Sequence, residues 1–256
     1  MLDYRNCSGK TRGKINKFIN VNTKTDNNLH APLYKTLGEV AALWTLANVG
    51  YYVALPLFGF QLSYNSAPIV IAGYFLLWSI ISTLYFWELF RKNVTKESHI
   101  WLYGGLSLAS ATLIWGLLYL FSFLPTPQGL LFSFNTDILF STPWYFLPKS
   151  IEILVQQVLI AVLVLEFYSR FNSLKETAVS YAISFGLAHV LLFSINGAPT
   201  PYALMMIVGS VLSALIFPYL IIRVRGGFIY AYVIHLISYI LLATLLRALP
   251  LYGYIF

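Results

Sequence analysis

Beyond residue 36 the apolar positions come in uninterrupted runs, not in alternation, and the runs recur at similar length. A helix rises about 1.5 Å per residue, so roughly 20 residues cross a 30 Å hydrocarbon layer. The pattern predicts spans near 37–62, 67–90, 100–124, 150–168, 177–196, 201–223 and 227–249. Only a helix or a closed barrel satisfies its own backbone in lipid, and continuous apolar runs select the helix. The chain therefore reads as an all-α polytopic membrane bundle of about seven transmembrane helices, with no clear internal repeat. Residues 1–36 form a polar, Asn/Lys-rich segment of flexible character, and 250–256 a short tail.

Composition narrows the class further. Of 256 residues, 59% are apolar and only 10% charged, against roughly 25% charged in a soluble domain. Too little charge is present to cover a water-facing surface, which excludes an ordinary soluble enzyme, a disordered chain and a disulfide scaffold. The first apolar stretch starts near Leu37 and is too long for the core of a cleavable signal peptide. Cys7 is the one cysteine and lacks the small and apolar residues that precede a lipoprotein cysteine. Net charge is +7. In a soluble protein that would raise nucleic-acid binding. Here 14 of the 16 basic residues fall on one side of a seven-span layout, the others being Lys149 and Arg247. By the positive-inside rule the N-terminus is cytoplasmic and the C-terminus outside; the membrane expected is the plasma membrane of a prokaryote. The lipid bilayer is then the first partner, and no nucleic acid is expected.

The stretch 125–149, with Phe132, Phe134, Phe140, Trp144, Tyr145 and Phe146, reads as an interfacial segment on the outer surface, since aromatics favour the headgroup region. A re-entrant gate over a site, or an eighth short span, are the alternatives.

Polar groups inside the spans carry the chemistry, because each is costly in hydrocarbon. Glu39, Glu88 and Glu166 sit near cytoplasmic span ends, where they reach water. Glu152 follows Ser150, a candidate N-cap, in the first turn of the fourth span. Gln156 and Gln157 lie one turn further on, His189 lies in the fifth span and His235 in the seventh. Residues four apart share a helix face, so Phe185 accompanies His189 and Tyr239 accompanies His235. Three helices thus each bring hydrogen-bonding groups into the bilayer, which points to one internal polar site. Two histidines serve as general bases, oxyanion donors, or ligands to zinc or haem.

At these residues the chain resembles the CPBP family, the CAAX-protease and bacteriocin-processing intramembrane endopeptidases. Phe185 to His189 matches the family's Phe-x-x-x-His motif, and Gly209 to Ser213, the turn Arg223 to Gly227 and the helix carrying His235 match the order of its later motifs. The resemblance covers about residues 148–245, within a core of 148–249 that follows N-terminal helices and the aromatic segment over 37–147. Gln156-Gln157 stands where the family has Glu-Glu, Ala161 where it has Arg, and Tyr239 where it has Asn or Asp. The resemblance implies that Gln156 takes the water-activating position with His189 as its partner, while His235 and Tyr239 face the oxyanion. A Gln amide is not basic, so the implied protein keeps the pocket and loses the base. Three expectations follow. The first is a pseudoprotease or scaffold that binds a membrane peptide or prenylated chain. The second is an active endopeptidase in which Glu152 supplies the base. The third, from another class, is a bis-His haem protein or small transporter. No cofactor is required by the first two.

Overall fold

The computed structural model describes residues 33–60, 62–93, 116, 118–119, 122–124, 138, 141–196 and 200–248. Most of the expected third span, most of the aromatic segment, residues 1–32 and the tail lie outside them; residues 33–36, expected in the polar N-terminal segment, are already helical. Among the described residues the protein is all-α. Helix α1 (Leu33–Leu57) is followed by α2 (Pro68–Tyr85) and a short α3 (Trp87–Asn93). Then come α4 (Phe146–Phe171), α5 (Leu174–Asn196), α6 (Thr200–Arg223) and α7 (Gly227–Ala248). Five helices are long and apolar enough to cross a membrane: α1, α2, α4, α6 and α7. This is the helix complement of an integral membrane protein. The expected fifth span is present as α5, a continuous helix outside that set. Its first turn carries Lys175 and Glu176, and its side chains are described only to Leu191.

Helix α4 is the central pillar. It is apolar on nearly every face, which marks a helix buried all round. About 78% of its most apolar window is buried, against 17–28% for the other spanning helices. It packs on α1, α2, α5, α6 and α7. Val162, Val164, Ile153 and Ile160 are essentially inaccessible within it. Asn172 ends the helix in the left-handed region, at φ 48°, and donates its N–H to the Tyr168 carbonyl. Against the last turn of α4, Arg223 at the end of α6 rests 5.8 Å from the Tyr168 ring centre. The basic ends of these two helices therefore meet at one end of the bundle.

The opposite end is tied by the α1–α2 connection. Tyr51 donates to the Leu62 carbonyl at 3.0 Å, and Thr142 donates through its backbone N–H to Asn65 Oδ1 at 3.0 Å. Tyr64 packs against Tyr51, Phe75 and Tyr145. Helix α1 carries a π-turn over Gly50–Ala54. Just ahead of it the Ala47 carbonyl accepts from Tyr74 Oη at 2.8 Å, and a Cβ on Gly50 would lie only 2.1 Å from that oxygen.

Two local expectations change. The fourth span begins at Phe146, after a 3₁₀ turn over Pro143–Tyr145, so Ser150 is not its N-cap. Ser150 Oγ instead donates back to the Leu147 carbonyl. The last residues of the aromatic segment belong to this helix start. Trp144 is exposed, but Tyr145 and Phe146 turn inward onto the core. Their large apolar area is worth more against Tyr64 and α4 than at an interface.

Candidate functional site

Two polar clusters stand side by side in the bundle. The first surrounds a cavity of about 210 Å³ between α5, α6 and α7. Phe185 and His189 come from α5, Ser210, Ser213 and Phe217 from α6, and His235 and Tyr239 from α7. His189 Nδ1 donates to the Phe185 carbonyl at 2.8 Å, one turn back, and its ring stands edge-on to Phe185 at 4.6 Å. A carbonyl only accepts, so Nδ1 carries the hydrogen and in the neutral ring Nε2 carries the lone pair. His235 lies between Phe217 and Tyr239, each 5.7 Å away by ring centres. Its Nδ1 is buried with no hydrogen-bond partner among the described residues. Tyr181 stacks on Phe185 and shares a hydrogen bond of 3.1 Å with Ser213. Met205, Gly209 and Ser238 on the rim are exposed, so among the described residues the cavity opens sideways from the bundle.

The second cluster is a buried ion pair on α4. Lys149 Nζ lies 2.8 Å from Glu152 Oε2, with side-chain exposures of 10% and 8%. Tyr64 donates to the same oxygen at 2.8 Å, and Gln156 Nε2 donates to Oε1 at 3.0 Å. Burial, and the facing Glu152 carboxylate, push the Tyr64 phenol well above its ordinary value, so Tyr64 acts here as a donor. Above the pair, Lys149 Nζ sits 4.3 Å from the centre of the Tyr239 ring. Tyr232 donates to the Ser150 carbonyl at 3.2 Å and holds α7 against the same stretch. Tyr239 thus belongs to both clusters: one face meets Lys149, and the side chain walls the cavity.

Of the residues expected to share a site, Phe185, His189, His235 and Tyr239 do so. Glu152 and Gln156 join the neighbouring ion-pair cluster. Gln157 joins neither. Adjacent residues on a helix diverge by about 100°, so Gln156 and Gln157 cannot face one site equally. Gln157 is fully buried, and neither its amide nitrogen nor its oxygen has a partner among the described residues. Among the described residues no carboxylate lines the cavity. Glu152 has both oxygens engaged by three donors, which leaves it poorly placed to take a proton from a water there. Among the described residues no group of three or more His, Cys, Asp or Glu comes together, as a zinc site needs. The volume is below the roughly 300–1,000 Å³ usual for organic ligands, which counts against a porphyrin between the two histidines.

Sequence reasoning missed Lys149 and Tyr64 as the partners of Glu152. The i, i+3 spacing of Lys149 and Glu152 was the available signal for the first. Nothing local signalled the second, because the two residues are 88 apart in the chain. The serines and methionines of α6 were also missed as wall residues. No protein-family model, curated protein or solved structure matches the chain.

Proposed function

We propose that this protein is a non-hydrolytic relative in kind of the CPBP intramembrane endopeptidases: a membrane protein that holds part of a membrane peptide or prenylated chain without cleaving it efficiently. The observation that carries this reading is the arrangement of the carboxylate. The cavity offers two imidazoles, a phenol and serine hydroxyls, all suited to hydrogen bonding. The nearest acid, Glu152, is held by Lys149, Tyr64 and Gln156 and does not line it. Hydrolysis needs water, a base and oxyanion donors, and the base is the missing part. The lateral opening and the apolar walls suit a single side chain or the end of a lipid chain entering from the bilayer. Purified protein is expected to leave fluorogenic membrane peptides uncut, with His189→Ala indistinguishable from the unaltered chain. Robust cleavage that disappears in His189→Ala would overturn the reading. Gln156→Glu tests whether a carboxylate at the family's position restores turnover.

The orientation proposed is N-terminus cytoplasmic in a prokaryotic plasma membrane. The basic distribution supports it, and so does the meeting of Arg223 with the last turn of α4 at the end opposite Tyr64. Cys7 is the only cysteine, so a membrane-impermeant maleimide reads the side directly. Labelling is expected only after permeabilisation, and labelling of intact cells reverses the topology.

A further inference from the structure

We propose that the cavity between α5, α6 and α7 binds a soft monovalent metal ion, with Cu(I) as its natural probe. This goes beyond peptide binding and does not depend on whether the chain cleaves anything. Every histidine and methionine among the described residues lines this one cavity: His189, Met205, Met206 and His235, from three helices. The whole chain has only three methionines and four histidines, and one of the methionines is Met1.

The donor set selects the ion. Imidazole and thioether ligands suit Cu(I), whereas Ca²⁺ and Mg²⁺ require oxygen ligands, usually carboxylates, and among the described residues no carboxylate lines the cavity. Zinc prefers four strong N, S or carboxylate ligands, and only two histidines are at hand. All the lining groups are neutral in their metal-binding form. The desolvation cost of an ion rises steeply with its charge, so an uncharged ligand set in a membrane protein favours a single positive charge.

The histidines are prepared for the role in different ways. His189 Nδ1 donates to the Phe185 carbonyl, the backbone contact that commonly orients a metal-binding imidazole and puts the lone pair on Nε2. His235 Nδ1 is buried and has no hydrogen-bond partner among the described residues. Packing alone accounts for methionines as gap fillers. It does not account for a buried imidazole nitrogen left unpaired, which costs about 1–3 kcal/mol. A small rotation of the ring toward an ion in the cavity removes the deficit, and the unbranched methionine side chains have the freedom to close on it.

The test uses the full chain in detergent with Cys7→Ser as background, because a thiol would itself take Cu(I). Under anaerobic reducing conditions, Cu(I) is titrated in competition with a chromophoric chelator such as bathocuproine disulfonate. One equivalent is expected to transfer to the protein, and X-ray absorption should show mixed nitrogen and sulfur scattering. His235→Gln and the near-isosteric pair Met205→Leu/Met206→Leu should each weaken binding about tenfold or more. Size-exclusion profiles and circular dichroism identify variants that remain folded, and the methionine pair is the variant chosen to keep the packing. Failure to withdraw Cu(I), binding indifferent to both variants, or equal retention of Zn(II) by the same residues each overturns the proposal. Cleavage of peptides would sink the reading of the previous subsection and leave this result standing.

Discussion

Removing Lys149 tests whether the buried ion pair holds the bundle together. Side-chain exposures of 10% and 8% put Lys149 and Glu152 in the buried class, where loss of one partner costs about 3–5 kcal/mol. An exposed pair would be worth about 0–1 kcal/mol. In Lys149→Met the carboxylate keeps Tyr64 and Gln156 as donors but loses its only counter-charge. In Glu152→Gln a single amide oxygen replaces two acceptor oxygens, and the ammonium loses its counter-charge while keeping the Tyr239 face, worth about 0.5–2 kcal/mol. Each single change is therefore expected to cost about 3 kcal/mol. The double variant removes both charges and preserves the shape, so its cost should fall to about 1–2 kcal/mol, since neutral replacements of buried pairs are often tolerated. The resulting coupling of several kcal/mol far exceeds the roughly 0.2–1 kcal/mol of surface pairs. Unfolding in mixed micelles with rising dodecyl sulfate, followed by circular dichroism, measures all four corners of the cycle. Single variants that each cost under about 1 kcal/mol, with effects that simply add, would refute the argument that this pair is buried and mutually dependent.

Other expectations are more local. Tyr64→Phe removes one hydrogen bond to a charged group and should destabilise by about 1.5–3 kcal/mol in the same assay, without changing the helix content. Gly227→Ala places a Cβ 1.8 Å from the Leu220 carbonyl oxygen, a backbone atom that cannot step aside. It should cost about 3 kcal/mol or more, seen as loss of the monodisperse peak, whereas Gly38→Ala meets nothing within 4 Å and should be neutral or stabilising by up to about 1 kcal/mol. At the left-handed end of α4, Asn172→Gly should be silent and Asn172→Val should cost about 1–2 kcal/mol in thermal unfolding.

The helices were legible because a membrane demands long apolar runs, and that demand is written locally in the chain. The start of α4 was misplaced by a few residues, since Pro143 and the aromatics after it look like an interface until their partners are known. Pairings at i, i+4 were equally legible: Phe185 with His189, His235 with Tyr239, and Glu152 with Gln156 all meet as spacing required. Which clusters those pairs join was not legible. Helix rotation and long-range packing decide it, and they turn Gln157 into the core while Gln156 faces Glu152. Tyr64 illustrates the limit best. Its role comes entirely from a carboxylate on a distant helix, and a lone tyrosine in a connecting loop gives no hint of it.

The Lys149–Tyr239 contact also has a consequence for synthesis. Tyr64 emerges before α4, so the acid finds its phenol partner as soon as α4 is made. The aromatic cover of the ammonium arrives roughly 90 residues later, on the last helix. At about 5–20 residues per second, the nascent chain spends roughly 5–20 s with that cation lacking its ring. A chain stalled or truncated before α7 keeps Lys149 in this incomplete state permanently, together with a Ser150 carbonyl that lacks its Tyr232 donor and a cavity without His235 and Tyr239.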